Sequence, residues 1–156
     1  MFVRYFIELD APFPDVAREL TRNPSAWLPG LAGRARAEGE RRMAEVGFGR
    51  AVRVEREVAV EVGPPAGIEA KRLLPIRWHP TGAAVLPALD GELEVAPVGA
   101  HRTQLSMTAS YTPPFGLLGR VADRALMHRV AEATVKDFVD RVAGGLISRL
   151  GAGATR

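Results

Sequence analysis

The chain contains no cysteine, which excludes disulfides, thiolate metal ligands and a cysteine nucleophile. Lysine is nearly absent: Lys71 and Lys136 stand alone, so arginine carries almost all the positive charge. No apolar run approaches the roughly 18 residues of a membrane-spanning helix, and no signal-peptide pattern opens the chain, so a cytoplasmic location is expected. His79, His101 and His128 share no metal-ligand spacing. No Ser/His/Asp order and no phosphate-cradling glycine loop occurs, so neither a metal nor a cofactor is expected.

What is present is ordinary globular material: 156 residues, 47 % hydrophobic and 25 % charged. A chain of this size buries roughly 70 % of its surface on folding, enough for a core without staples. Residues 1–150 are read as a single domain and 151–156 as a flexible C-terminal tail. The net charge of +3 is spread from Arg4 to Arg156. Its densest cluster, Arg34, Arg36, Arg41 and Arg42, is interrupted by Glu38 and Glu40. Without a basic stripe or interleaved aromatics, nucleic acid is not an expected partner.

Periodicity outlines the elements. Val3, Tyr5, Ile7 and Leu9 alternate on one face of a strand over Phe2 to Leu9. A short helix follows from Pro14 to Thr21, and a second short helical segment from Pro24 to Leu31, with Pro29-Gly30 as its stop. Ala44, Val46 and Phe48 share a strand face, and Gly49-Arg50 marks a hairpin to the strand Ala51 to Val62. In that strand Val52, Val54, Val58, Val60 and Val62 oppose Arg53, Glu55, Glu57 and Glu61, a half-buried antiparallel pattern. Further strands are expected from Ile68 to Trp78, with an edge or bulge at Pro75, from Val85 to Val95, and from His101 to Tyr111. From Leu117 to Leu150 the stripe Leu117, Val121, Ala125, Ala131, Val135, Phe138, Val142 and Leu146 predicts one long helix. The fold class is therefore α+β, a curved antiparallel sheet wrapped around a long C-terminal helix.

Two stretches carry a resemblance. Ile7-x-x-x-Ala11-Pro12-x-x-x-Val16-x-x-x-Leu20 with Trp27-Leu28-Pro29-Gly30 is similar to the start of a polyketide cyclase/dehydrase-type member of the START-like (SRPBCC) superfamily. Pro113-Pro114-Phe115-Gly116 through Asp123 to Ala133-Thr134-Val135-Lys136-Asp137-Phe138 resembles its closing helix. Asn23 stands where an acidic residue and a second tryptophan are common. The resemblance implies a helix-grip fold with an apolar cavity between sheet and helix. Its members carry lipids, steroids and quinones, sense hormones, cyclise polyketides or activate chaperones, and fold does not choose among these.

Several residues bear on that choice. Arg56, Arg72 and, with the hairpin register above, Arg42 break otherwise apolar strand faces. A guanidinium facing inward must be paired or hydrated. Such arginines either form the positive pole of a cavity, suited to a carboxylate or phenolate, or reach water at the sheet margin. His128 lies within the helical stripe, with Glu132 one turn on to orient it, and is either a cavity-facing acid/base or a satisfied core residue. Trp27, Trp78, Tyr5, Tyr111, Met107 and Met127 suit an adaptable apolar pocket or simply the core.

The leading expectation is a binder or carrier of a small, mainly apolar molecule, lipid-, polyketide- or aromatic-like, with an acidic group if the inward arginines belong to the pocket. The pocket would lie between the helix and the strands bearing Arg56, Arg72, Trp78 and Met107, with His128 above. One alternative is a cyclase/aromatase-type enzyme in the same cavity, with His128, Tyr111 and Arg56 as the candidate catalytic groups. Another is a protein-interaction module with a vestigial cavity. The chain is expected to be a monomer or homodimer.

Overall fold

In the computed structural model, residues 2–45, 58–80, 88–112 and 121–153 are described. Strand β1 (Phe2–Leu9) leads into helix α1 (Phe13–Thr21), a 3-10 turn (Pro24–Ala26) and helix α2 (Leu28–Glu45). Strands β2 (Val58–Val62), β3 (Ala66–Ile68), β4 (Lys71–Pro80), β5 (Ala88–Pro97) and β6 (Thr103–Thr112) follow. Helix α3 (Val121–Gly153) completes the chain as one continuous element. The strands form a single antiparallel sheet in the order β1-β6-β5-β4-β2, with β3 also paired to β4.

The alternation read from the sequence holds across this sheet. Val3 and Leu9, Leu74, Ile76 and Trp78, Leu89, Leu93 and Val95, and Leu105, Met107, Ala109 and Tyr111 are all buried. They share the inner face. Val60 and Val62 pack partly buried against it, and Glu61 is exposed. On α3 the buried stripe is Ala131, Val135, Phe138, Val142 and Leu146, and Phe138 meets Trp78 edge-to-face with centroids 5.2 Å apart. Tyr5 donates from its hydroxyl to Asp140 Oδ1 at 3.1 Å, which ties the helix to β1. The buried Thr103 hydroxyl donates to the carbonyl of Ala11 at 2.8 Å and fixes the exit of β1 against β6.

Pro75 lies within β4, opposite the break between β2 and β3, and its carbonyl accepts the Gly63 N–H at 2.8 Å. A residue without a donor is tolerated there, since the ladder is interrupted. β3 and β4 are joined through Glu69-Ala70, with Ile68 paired to Lys71. The expected single strand from Ile68 to Trp78 is thus a hairpin followed by a strand, and Ile68 is exposed. Gly67, at φ +143, is a position where only glycine is comfortable.

Three other expectations are corrected. Pro29-Gly30 does not stop the second helix but opens α2, which runs for 18 residues. Proline fits a first helical turn, where its missing N–H leaves no bond unmade. Leu28, Ala32 and Ala35, at i, i+4 and i+7, are fully buried, and α2 packs along α3. Packing thus outweighs the glycines at 30 and 33. Ala44 consequently lies in α2, not in a strand. Ala125 is exposed and does not belong to the buried stripe of α3. Val46, Phe48, the Gly49-Arg50 hairpin, residues 51–57, 85–87 and Leu117 lie outside the described residues. α3 extends to Gly153, beyond the boundary expected at Leu150.

Gly144 and Gly145 sit inside α3 but face different surroundings. A Cβ on Gly145 would rest in ordinary contact with Trp27 (3.5 Å) and Leu31 (3.7 Å), whereas one on Gly144 would meet nothing within 4 Å. Gly144→Ala is therefore expected to raise stability by about 0.5–1 kcal/mol through reduced backbone entropy in the unfolded chain. Urea denaturation checks it; an unchanged or lower midpoint would mean that this helical turn is frayed.

Candidate functional site

The strand registers arrange the inner face in rows. Trp78 pairs with Leu89 and Leu89 with Tyr111, so one row runs Val60, Trp78, Leu89, Tyr111. The next row runs Val62, Ile76, Gly91, Ala109, Val3. Its centre holds the two smallest side chains of the inner face, which keeps the surface low beside Trp78 and Tyr111. The Met107 methyl reaches into that space, 3.0 Å from where a Gly91 Cβ would stand. A thioether side chain can leave such a position by rotating, as a branched one cannot.

Trp78 and Tyr111 bring polar atoms to this apolar surface. Strand spacing puts them about 10 Å apart, two strands from one another. Trp78 is only 5 % exposed, and its indole Nε1 is buried with no hydrogen-bond partner among the described residues. Such a donor costs about 1–3 kcal/mol while it stays unmet. Burial pushes the Tyr111 phenol up to about 12, so it remains protonated and able to donate at neutral pH.

That shift has a pH consequence. An unfolded tyrosine ionises near 10. Between about pH 10 and 12 the unfolded chain has released a proton that folded Tyr111 retains. Stability from this group is therefore complete below about pH 10 and falls as pH rises toward 12. In urea titrations at about pH 9 and about pH 11, the wild type should lose more stability than Tyr111→Phe. Equal losses would place the phenol in water.

The remaining predicted site residues are dispersed. Arg72 pairs with Val95, six positions along β4 from Trp78 or roughly 20 Å. Its guanidinium donates to the carbonyls of Ile68 and, at 3.1 Å, of Lys71. It is thus held at the β3–β4 turn. His128 Nε2 lies 3.2 Å from Glu132 Oε1, with side chains 42 % and 56 % exposed. The pairing with Glu132 is as expected, but on a solvated flank of α3. Trp27 packs between α2 and α3, under the Arg149 guanidinium at 4.7 Å, with its own indole N–H buried and without a hydrogen-bond partner among the described residues. Tyr5 is held by Asp140, with the Lys136 ammonium 5.1 Å above its ring. Arg56 lies outside the described residues, as do the side chains of Arg42 and Met127.

Gly91 and Ala109 were not among the predicted site residues. The available signal was a glycine inside a strand pattern, between Asp90 and Glu92, which marks a close approach of backbone or ligand. Among the described residues no group of three or more His, Asp or Glu is placed to hold a metal ion. No described helix is long and apolar enough to cross a membrane.

Comparison with known proteins places this geometry. No family model matches the chain, and no curated protein matches it. Solved structures do. A conserved protein from Geobacillus kaustophilus is 16 % identical with a TM-score of 0.52, covering 93 % of this chain and 94 % of its own. The Zhui aromatase/cyclase from Streptomyces sp. R1128 is 16 % identical with a TM-score of 0.51, covering 96 % and 95 %. Likeness at this identity concerns architecture, and it spans nearly the whole of both chains. A six-stranded antiparallel sheet closed over a 33-residue helix is the helix-grip fold, and both neighbours share it over more than nine-tenths of this chain.

Proposed function

We propose that the protein binds a small, mainly apolar molecule between the inner sheet face and α3, with an acceptor oxygen of that molecule on the indole N–H of Trp78. The unmet Trp78 donor is the observation that carries this reading. Interiors satisfy buried donors almost without exception, so an orphan on an apolar face calls for an occupant. The low ground at Gly91 and Ala109 and the movable Met107 methyl supply adaptable room beside it.

The polar group of the ligand follows from what surrounds it. Arg72 is the one cation in the described inner-face rows, and it stands at the far end, bonded to backbone. Among the described residues, the polar group of the inner face at Trp78 is thus a neutral donor. It suits a carbonyl, quinone or phenol oxygen better than a carboxylate, which would want a guanidinium. A protonated Tyr111 in the same row is not a base at neutral pH.

Native mass spectrometry of the purified protein tests this. The wild type is expected to carry a small-molecule adduct, and Trp78→Phe, which keeps the ring and removes the N–H, to hold it about tenfold more weakly. Retention of the adduct at equal occupancy would contradict the assigned donor.

A further inference from the structure

The sheet has an open side that the ligand site does not use. β1 pairs with β6 through one edge, and among the described residues no strand meets its other edge. It is eight residues long, without proline or bulge. Edge strands are usually blunted by such features, because a bare row of N–H and C=O groups recruits another strand. Its outer face carries Phe2 at 63 % and Phe6 at 56 % exposure. Even on the inner face Tyr5 and Ile7 are only half-buried, while Val3 and Leu9 are buried.

We infer that β1 is the docking edge for a second copy of this chain, joined antiparallel across a two-fold axis at Phe6. A two-fold normal to the sheet pairs residues of the same face, so the axis falls on a residue, and the side chains choose which. An axis at Arg4 would set two guanidinium groups directly opposite, which is destabilising. One at Tyr5 would set Phe2 opposite Glu8. With the axis at Phe6, Arg4 faces Glu8 of the other copy twice over. Phe6 then faces its own counterpart, and Tyr5 faces Ile7, covering both half-buried side chains. Arg4 is exposed with no acidic partner among the described residues, and Glu8 has one carboxylate oxygen on Arg102 at 2.7 Å, leaving the other. The charges of one strand thus complement themselves, as an isologous interface requires.

Sedimentation equilibrium of the wild type at about 50 µM should give a dimer, which corresponds to an association of about 6 kcal/mol or more. A monomer would overturn the proposal. The absence of native cysteine allows a clean test of register. Directly opposed residues in an antiparallel pair have Cα atoms about 4.5–5.5 Å apart, within disulfide reach. Phe6→Cys should therefore form a covalent dimer on mild oxidation. Arg4→Cys should not, since its two copies would be about 13 Å apart along the strands. Cross-linking through position 4 and not 6 would overturn the register. Arg4→Glu, which sets like charges opposite Glu8, should weaken the dimer several-fold without altering the monomer fold.

Discussion

Phe138→Ala is expected to cost about 3–5 kcal/mol of folding free energy. Phe138 is the largest of the fully buried side chains among the described residues, and its ring stands perpendicular to that of Trp78 at 5.2 Å. Truncation loses the transfer energy of the ring and leaves a cavity between two rigid layers that cannot collapse onto it. The edge-to-face pair adds about 0.5–1.5 kcal/mol beyond area burial. For a domain whose total stability is about 5–15 kcal/mol, such a loss takes a large share. Equilibrium urea unfolding should show a sharply lower midpoint at an unchanged slope. A loss below about 1 kcal/mol would mean that α3 does not seat on the sheet through this residue.

Gly91→Val is the second large effect, expected at about 2–3 kcal/mol and accompanied by loss of ligand binding. A Cβ here would stand 2.9 Å from the Thr108 carbonyl oxygen and 3.0 Å from both the Ala109 Cβ and the Met107 Cε. The methionine end can swing aside. The Thr108 carbonyl cannot, because β6 is held between β1 and β5. The two γ-methyls would also fill the low surface beside Trp78. Thermal and urea unfolding measure the first consequence, ligand titration the second. A variant of wild-type stability that still binds would show that β5 has slack at this point and that the ligand lies elsewhere.

Much of this architecture was legible because strand alternation and the α3 stripe are signals of burial itself. Leu74, Ile76 and Trp78, or Leu105, Met107 and Tyr111, declare a face at any register. α2 was not legible for the converse reason. Its buried contacts are Leu28 and the small Ala32 and Ala35, interrupted by Pro29, Gly30 and Gly33, so its local signal is that of a turn. Only α3, which begins 76 positions after α2 ends, makes it a helix. The site was half visible. Trp78, Tyr111 and Met107 were named as liners from residue type, whereas Arg72 and His128 were named because they interrupt apolar faces. A long or ionisable side chain can satisfy itself locally, as Arg72 does on the carbonyls of Ile68 and Lys71 and His128 does with Glu132. An indole N–H has far less reach, so the Trp27 and Trp78 donors both stay unmet among the described residues, and of the two only Trp78 lies on the inner sheet face.

The central claim, a ligand seated against Trp78, is tested most directly by fluorescence. Trp27 and Trp78 are the only tryptophans, so Trp27→Phe leaves Trp78 as the sole indole reporter. Titrated with 2-methyl-1,4-naphthoquinone, an uncharged aromatic body bearing carbonyl oxygens, this variant should show saturable quenching of Trp78 emission with one site per chain. Binding of the probe with Trp78 emission unchanged, or no binding at all, would contradict the account.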